Sequence, residues 1–222
     1  DRLLMIGFVR RFGNDCKIVK DLIEHDRMGD IYYAKATYLR RKGCPGGWFG
    51  DKAYSGGGPL IDLGVHVIDL TRYLAGNPLE VCCYMNQKFL KDWSKPDTGV
   101  AIAKFPNDVI ARIFVSIGIK APYTMGTIVY GTKGTLRYRD EQCVEIAEES
   151  VYSTTKELQF TKIPSLGVAH HIKFELEAFV DHLKNKTPFP SDVLEGTGTV
   201  AFAEAAIRSA ETGMPQKVAS DF

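Results

Sequence analysis

A run of short alternating segments between residues 80 and 138 constrains the fold of this chain more than any other feature. Within Val109–Ile117, apolar side chains alternate with polar or mixed ones, so one face of the segment is apolar. Pro106–Asp108 lies directly before it and has the composition of a hairpin turn. Repeated strands joined by tight turns predict a mostly antiparallel sheet.

The same patterns divide the rest of the chain into elements. Period-two segments predict strands at Leu3–Arg10, Ile31–Leu39, Glu80–Phe89, Val100–Phe105, Val109–Ile117, Thr127–Tyr130 and Thr135–Tyr138. Helical spacing predicts helices at about Asp15–His25, Pro59–Leu74, Ala169–Lys184 and Gly196–Glu211. Gly43–Gly58, with seven glycines, is expected to be a long loop. Successive strands with helices grouped at both ends indicate one α+β domain over residues 1–222, with a mostly antiparallel or mixed sheet and helices on one face.

The composition of the chain limits which classes of binding partner and which cellular compartment we expect. The net charge of +1 gives no electrostatic reason to expect nucleic acid or an acidic membrane surface. No apolar run approaches the roughly 20 residues of a membrane span, and the first residues do not resemble a signal peptide. The five cysteines form no C-x-x-C pair, which favours free thiols in a reducing compartment. We therefore expect a cytoplasmic protein without nucleic-acid or membrane partners.

One predicted helix carries unusual chemistry for its hydrophobicity. Pro59–Leu74 is apolar on most sides, yet Asp62, His66 and Asp69 fall at i, i+4 and i+7 on one stripe. Burying a carboxylate and an imidazole costs several kcal/mol unless they are paired or face a wet cleft. Three glycines precede the helix and allow close approach by a ligand or another segment, and Gly64 within the helix suggests close packing.

Three interpretations of this stripe remain open from spacing alone. Asp62 and His66 can form an acid/base pair, because histidine carries protons near neutral pH and a carboxylate one turn away can orient it. They can instead be two ligands of a metal ion. In the third interpretation, they only satisfy each other and nearby backbone groups.

The segment Gly56–Asp69 resembles the G-G-G-x-L-x-D-x-G-x-H-x-x-D signature of the Gfo/Idh/MocA oxidoreductases, a family that includes glucose-fructose oxidoreductase and inositol dehydrogenase. Gly7–Phe12 is similar to the strand that leads into the C-terminal domain of that family. Tyr130–Leu136 is similar to a G-T-x-G-x-L turn in the middle of its sheet. These pieces occur in the expected order over nearly the whole chain.

The resemblance implies a two-domain enzyme in which an N-terminal Rossmann domain binds NAD or NADP. This sequence has no G-x-G-x-x-G between a strand and a helix, and it has no E-K-P motif. We therefore expect the chain to be the C-terminal half of a longer protein, with the cofactor bound mainly by a domain that lies outside it.

The resemblance also assigns roles to individual residues. His66 becomes the general base that takes a hydroxyl proton, and Asp62 orients His66 and bonds a substrate hydroxyl. Arg10, Trp48, His170 and His171 become candidate substrate contacts, while Asp69 is expected to be structural, and no metal is expected.

The favoured interpretation is thus the substrate-binding and catalytic half of an NAD(P)-dependent dehydrogenase that acts on the CH–OH group of a sugar or polyol. We further expect a homodimer or a tetramer formed through the sheet face. The alternatives are a non-catalytic sugar-binding or oligomerisation module, and a metal-dependent lyase or hydrolase that uses Asp62 and His66.

Overall fold

The computed structural model describes residues 3–41, 46–139, 143–148, 159–166, 170–188 and 191–220. The helices are α1 (Asn14–Glu24), α2 (Lys52–Ser55), α3 (Val65–Ala75), α4 (His171–Asn185) and α5 (Val193–Thr212). Turns of 3-10 helix span Val9–Phe12 and Gly47–Gly50, and a π-helical turn spans Leu60–Gly64. The strands are β1 (Ile31–Arg40), β2 (Glu80–Asn86), β3 (Thr98–Lys104), β4 (Ile110–Ile117), β5 (Thr124–Gly131), β6 (Gly134–Arg139), β7 (Cys143–Glu148), β8 (Thr161–Pro164) and β9 (Gln216–Lys217).

All of these strands join one nine-stranded sheet in the order β8-β7-β6-β5-β1-β4-β3-β2-β9. β1 pairs with β4 in parallel, and the other described pairs are antiparallel. The parallel pair follows from connectivity, since the chain between β1 and β4 includes α3 as a crossover helix. The α+β fold with a mixed sheet is therefore confirmed.

The hairpin between β3 and β4 confirms the predicted turn. Asn107 and Asp108 have positive φ angles of 57° and 59°, and the Val109 N–H donates to the Pro106 carbonyl. Two consecutive left-handed residues define the turn whose twist matches that of paired strands.

The helices cover one face of the sheet, as predicted. Ala111, Ile113 and Val115 are fully buried on that face, whereas Arg112 and Phe114 on the other face are only half-buried. The main core forms where α3 and α5 pack on the strands, with Val67, Ile68, Phe202, Ala205 and Ala206 among its buried side chains. A second cluster joins α1 to the opposite half of the sheet through Cys16, Val19, Leu136 and Val144.

Two predictions for the first 58 residues were wrong, a strand at Leu3–Arg10 and a wholly irregular loop at Gly43–Gly58. Leu3–Arg10 is not a strand, because the Ile6 N–H donates to the Ser191 carbonyl at 2.9 Å rather than to a sheet neighbour. Residues 3–8 belong to no helix or strand, and the Val9–Phe12 turn follows them. Gly43–Gly58 is not wholly irregular, since it contains the Gly47–Gly50 turn and α2, although residues 43–45 lie outside the described residues.

The remaining boundaries agree to within a few residues, with three strands added. β7, β8 and β9 were not predicted, because each is short or lacks clean alternation. Ala169, the predicted first residue of the late helix, lies outside the described residues, and α4 begins at His171.

No helix in the described ranges has both the length and the apolar composition that crossing a membrane requires. Cys16, Cys82, Cys83 and Cys143 are free thiols, and Cys44 lies outside the described residues.

The loop between β2 and β3 is organised by Asp97, which is completely buried. One of its carboxylate oxygens accepts the N–H groups of Lys88, Phe89 and Leu90 at 2.6–3.0 Å, and the other accepts the Thr98 hydroxyl. Burial alone would raise the pKa of Asp97, but these donors lower it below its ordinary value. The loop therefore depends on an ionised carboxylate.

We predict that Asp97→Asn lowers the free energy of unfolding by about 1–3 kcal/mol at pH 7, because charge-assisted hydrogen bonds are lost. A depressed native pKa stabilises the fold above the unfolded-state value near 4, and this contribution disappears as the pH falls through the native value. Urea unfolding at pH 7 and pH 3 should therefore show a deficit that shrinks in acid. Asp92→Asn, at an exposed position of the same loop, is the control, and an equal deficit at both pH values would contradict the assignment.

Candidate active site

The glycine run and the helix after it do not form one regular helix. Leu60–Gly64 is a π-helical turn, and α3 continues from Val65. Asp62 therefore lies on a wider turn, His66 lies in the first turn of α3, and both side chains are half-buried. Single π turns inside helices are frequent at functional sites, because the wider turn re-aims side chains.

Close backbone approach explains one of the three glycines before this turn. A Cβ atom on Gly58 would lie 2.6 Å from the Pro96 carbonyl oxygen, whereas one on Gly57 would lie 2.8 Å from the flexible end of the Ile207 side chain. By contrast, a Cβ on Gly64 would lie at an ordinary distance of 3.4 Å from its neighbours. The glycine run thus lets the chain pass against α5 and the β2–β3 loop, and Gly64 is less constrained than its sequence position suggests.

A buried lysine holds the loop before the glycine run. Lys95 is 1% exposed, and its ammonium group donates to the Ser55 hydroxyl at 2.8 Å. The same ammonium lies 5.1 Å from the ring centre of Phe49 and 4.9 Å from that of Trp93, within cation–π range. Because Ser55 directly precedes Gly56, this contact fixes the point from which the glycine run begins.

Around His66 the structure brings together side chains from three elements. The Tyr38 ring, at the end of β1, has its centre 6.1 Å from the imidazole centre, and the Tyr123 ring meets Tyr38 edge-on at 6.0 Å. Arg40 donates to the Tyr38 hydroxyl at 3.2 Å, and its other terminal nitrogen lies 3.9 Å from an Asp62 carboxylate oxygen. We call His66, Asp62, Arg40, Tyr38 and Tyr123 the His66 cluster.

The electrostatics of the cluster favour a neutral imidazole. Burial lowers the pKa of His66, the positive charge of Arg10 lowers it further, Asp62 opposes this, and Arg40 adds to the lowering. The ring nitrogens of a neutral histidine include one acceptor, so His66 is in the state that can take a proton near pH 7.

Beneath the cluster, an ionic network fixes α3. Asp69 is completely buried, and its two carboxylate oxygens accept from Arg11 at 2.8 and 2.6 Å. Burial raises the pKa of Asp69 to about 6, against the opposing pull of Arg11. Arg11 also donates to Glu195, and Arg72 donates to the Glu195 carbonyl and to Thr199. Asp69 therefore joins the Val9–Phe12 turn, α3 and α5.

The four predicted substrate contacts fall in different surroundings. Arg10 is buried, donates to the Met125 sulfur and lies close enough to influence His66 electrostatically. Trp48 is exposed on the Gly47–Gly50 turn, and its described ring contact is with Phe49. His170 is exposed beside Phe174. His171 is fully buried with a ring nitrogen 2.9 Å from an Asp15 oxygen, so it faces the interior rather than an open cleft.

Sequence analysis missed Tyr38, Arg40 and Tyr123. The sequence contained a pattern that could have identified the first two. Tyr38 and Arg40 alternate in β1 with the same period as Ala34 and Ala36, so they lie on the face of the strand that points to the core, where a cation is unexpected. Tyr123 lies in a loop whose position only the sheet order determines.

The described residues do not form a cradle for a dinucleotide diphosphate. The cavity of about 170 Å³ that Gly57 and Gly58 line with Ile207 and Pro96 is too small for a dinucleotide, and a side chain at Gly13, before α1, would collide with Asp15 and His171. α5 begins at the carboxylate of Asp192, which disfavours an anion there. Within the described residues, no group of three or more metal-binding side chains is placed to hold a metal ion.

Comparisons with known proteins agree with this fold. Residues 17–137 match the profile described as the GFO/IDH/MocA C-terminal domain. The chain therefore belongs to the Gfo/Idh/MocA family.

Two curated relatives align over most of the chain. It is 26% identical over 234 residues to D-glucoside 3-dehydrogenase of Escherichia coli (strain K12), which covers 96% of this chain and 64% of that protein. It is 26% identical over 225 residues to scyllo-inositol 2-dehydrogenase (NAD(+)) of Bacillus subtilis (strain 168), covering 96% and 62%. The chain thus spans less than two thirds of the length of these relatives.

Solved structures share the fold. A levoglucosan dehydrogenase in complex with NADH superposes with a TM-score of 0.85 at 20% identity, covering 98% of this chain and 66% of the other. An NAD-binding oxidoreductase from Klebsiella pneumoniae superposes with a TM-score of 0.86 at 16% identity, covering 99% and 67%.

The charges around His66 give a prediction that this chain can test without a cofactor. Arg40→Gln removes a nearby positive charge and should raise the pKa of His66, whereas Asp62→Asn should lower it. The measurement is an NMR titration of the histidine ring signals, with the His66 signal assigned by its loss in His66→Gln. Arg208→Gln, at an exposed position on α5, should leave it unchanged. Shifts in the same direction for both cluster variants would contradict the arrangement.

Proposed function

We propose that this chain is the substrate-binding and catalytic C-terminal domain of an NAD(P)-dependent oxidoreductase that acts on the CH–OH group of a sugar or polyol. The observation that carries the proposal is the half-buried His66, whose pKa is lowered and which lies within the charged surroundings of Asp62 and two arginines. Membership of the Gfo/Idh/MocA family supports the same reaction class.

In this proposal His66 is the general base. A neutral imidazole accepts the proton of the reacting hydroxyl, and general-base catalysis of this kind contributes about 10²–10⁴ in rate. The resulting imidazolium is stabilised by the Asp62 carboxylate, which raises the pKa of His66 against the lowering by burial and by the arginines. The pair therefore balances proton uptake against proton release.

Other cluster residues bind and orient the substrate. Arg40 is half-buried and presents donors at the edge of the cluster, between the Tyr38 hydroxyl and Asp62. Asp62 and Arg40 together offer acceptors and donors to neighbouring hydroxyls, a requirement for recognising a polyhydroxylated ring. Tyr123 is exposed and lies at the edge of the His66 cluster, where its ring meets that of Tyr38 edge-on.

A nicotinamide cofactor, when bound, supplies the hydride acceptor for this chemistry. Because the described residues do not fit its diphosphate, we place cofactor binding mainly in a nucleotide-binding domain outside the 222-residue sequence. The preference for NAD or NADP then depends on that domain. The names of the curated relatives, a glucoside dehydrogenase and an inositol dehydrogenase, support a cyclic polyol or glycoside as substrate.

The kinetic test uses the two-domain polypeptide. We expect His66→Ala to lower kcat by about 10²–10⁴ with the melting temperature nearly unchanged, because the imidazole is half-buried and lies outside the two core clusters. His25→Ala, at an exposed position after α1, is the matched control and should keep full activity. A folded His66→Ala enzyme with normal kcat would exclude the base and favour a non-catalytic module.

We also propose that the sheet face opposite the helices joins two copies of the chain. Tyr84 is 74% exposed and Ile102 is 55% exposed on this face, with Arg112 opposite Ile102 in the sheet. A wide face with aromatic and aliphatic side chains is costly to leave in water, and a two-fold dimer is the commonest way to cover it.

Light scattering at tens of micromolar should therefore give a dimer or a tetramer of dimers. Ile102→Asp should shift the mass toward the monomer, because it buries a charge in the proposed interface. Val200→Asp changes a comparably exposed aliphatic residue on α5 and should leave the mass unchanged. A monomeric parent chain would remove this proposal.

A further inference from the structure

Two basic side chains lie next to each other on the outer face of the sheet, the face opposite the helices. Lys35 of the central strand β1 is directly opposite Arg112 of β4 in the parallel pair, and both residues are half-buried. Adjacent strands of a sheet lie about 4.8 Å apart, so two positive charges in these positions repel each other. The middle of the outer face therefore carries an unfavourable pair of charges.

Neither of these cations is paired within the part of the chain that the structure describes. No hydrogen bond or ion pair joins Lys35 or Arg112 to a described residue, and the Nε atom of Arg112 is buried without an acceptor. A buried donor on a charged group costs free energy when it lacks a partner, because it has lost its hydration. Local arrangements that destabilise a fold are expected mainly at functional sites.

The acidic residues nearby do not neutralise this pair. Strands β1 and β4–β7, as the structure describes them, contain two acidic residues, Glu145 and Glu148. Glu148 pairs with Arg27, and Glu145 lies 3.8 Å from Arg137 and 4.0 Å from Arg139. The outer face of these strands thus has an excess of positive charge.

A hollow of about 450 Å³ opens beside Lys35, over β1, β5 and β6. Lys35, Thr37 and Arg139 line it together with Gly126. A Cβ atom on Gly126 would lie 2.6 Å from the Tyr138 carbonyl oxygen, so no side chain fits there to fill the hollow. Its volume is within the range of about 300–1,000 Å³ that is usual for small-molecule sites.

We propose that this hollow binds a small organic anion that carries a phosphate or a carboxylate group. Lys35 and Arg139 supply donors for charge-assisted hydrogen bonds, Thr37 supplies a hydroxyl, and Arg112 adds positive potential beside Lys35. Phosphate and carboxylate share what such a site recognises, a compact set of oxygen atoms with negative charge. We call Lys35, Thr37, Arg112 and Arg139 the outer-face site.

The outer-face site is separate from the other two sites that we propose. Tyr84 and Ile102, in the proposed dimer contact, lie on β2 and β3, and β4 separates these strands from the hollow. His66 belongs to α3, which packs on the opposite side of β1. The inference therefore does not depend on the proposed reaction. The rival occupant of the outer-face site is a carboxylate of a second copy of the chain.

Calorimetric titration of the two-domain polypeptide tests the site, with NADH in excess so that a nucleotide-binding domain does not take up the probe. The probes are glucose 6-phosphate and citrate, and glucose is the uncharged control. We expect saturable binding of at least one anion, weakened about tenfold by Lys35→Met and by Arg139→Met, because each removes a charge-assisted hydrogen bond. Lys104→Met, on β3 outside the hollow, should leave the affinity unchanged.

The two probes distinguish the recognised group. Binding of glucose 6-phosphate alone identifies phosphate, binding of citrate alone identifies carboxylate, and binding of both supports recognition of the shared chemistry. Three results would overturn the proposal: no saturable binding of either anion, binding of glucose as tight as that of glucose 6-phosphate, or equal affinity in Lys35→Met and the parent.

The melting temperature in a phosphate-free buffer of low ionic strength gives a readout without a ligand. Lys35→Met should raise it, because the change removes a charge that Arg112 repels and keeps the length of the side chain. Arg137→Met is the matched control on the same face and should lower it, because Arg137 lies near Glu145 and 3.6 Å from the ring centre of Phe160.

The same variant tests the rival occupant. If carboxylates of a second copy pair with these cations, Lys35→Met should lower the melting temperature and shift an oligomer toward the monomer in light scattering. Either result, or an unchanged melting temperature, would show that Lys35 is not an unpaired and repelled charge, and the outer-face site would be rejected.

Discussion

The ion pair between Arg11 and Asp69 is the interaction on which the site depends. It is buried on both sides, it is bidentate, and it joins the Val9–Phe12 turn to α3, while Glu195 extends it to α5. Removing one partner of such a pair costs about 3–5 kcal/mol, because the other charge is left buried and unpaired. His66 lies one turn before Asp69 on α3, so this network sets where the side of the helix that carries His66 points relative to Arg10.

A second constraint acts from the opposite end of the same helix. Gly58, just before the π turn, passes so close to the Pro96 carbonyl oxygen that no side chain fits there, and Lys95 donates to Ser55 directly before the glycine run. The segment that leads into α3 is thus held by the close contact with the Pro96 backbone, and the middle of α3 is held by the ion pair between Arg11 and Asp69. Asp62 and His66 lie between these two anchors, an arrangement that limits the motion of the side chains for which we propose proton transfer.

Much of the fold could be predicted from the sequence, and the site only in part. The alternation in Val109–Ile117 and the composition of Pro106–Asp108 determine a strand and its turn through local sterics, so both were correct. Leu3–Arg10 has the alternation of a strand but pairs with no strand of the sheet. Local sequence patterns do not show whether a pairing partner is available. His171 shows the same limit, because its burial against Asp15 depends on where α4 meets α1. Its neighbour His170 remains exposed, although the two are indistinguishable by sequence.

The sequence by itself determined most of the strands and helices, including the Val109–Ile117 strand and the turn before it, because they follow from side-chain periodicity and turn composition within a few residues. Which face of the sheet the helices cover, and the π turn on which Asp62 lies, were decided by the tertiary structure. Only the tertiary structure decided that β1 lies parallel to β4 and that the end of β1 supplies Tyr38 and Arg40 to His66. It also decided that the apolar side of α4 faces outward. These features depend on contacts between residues far apart in the chain, whose energies are set by packing and burial rather than by local propensity.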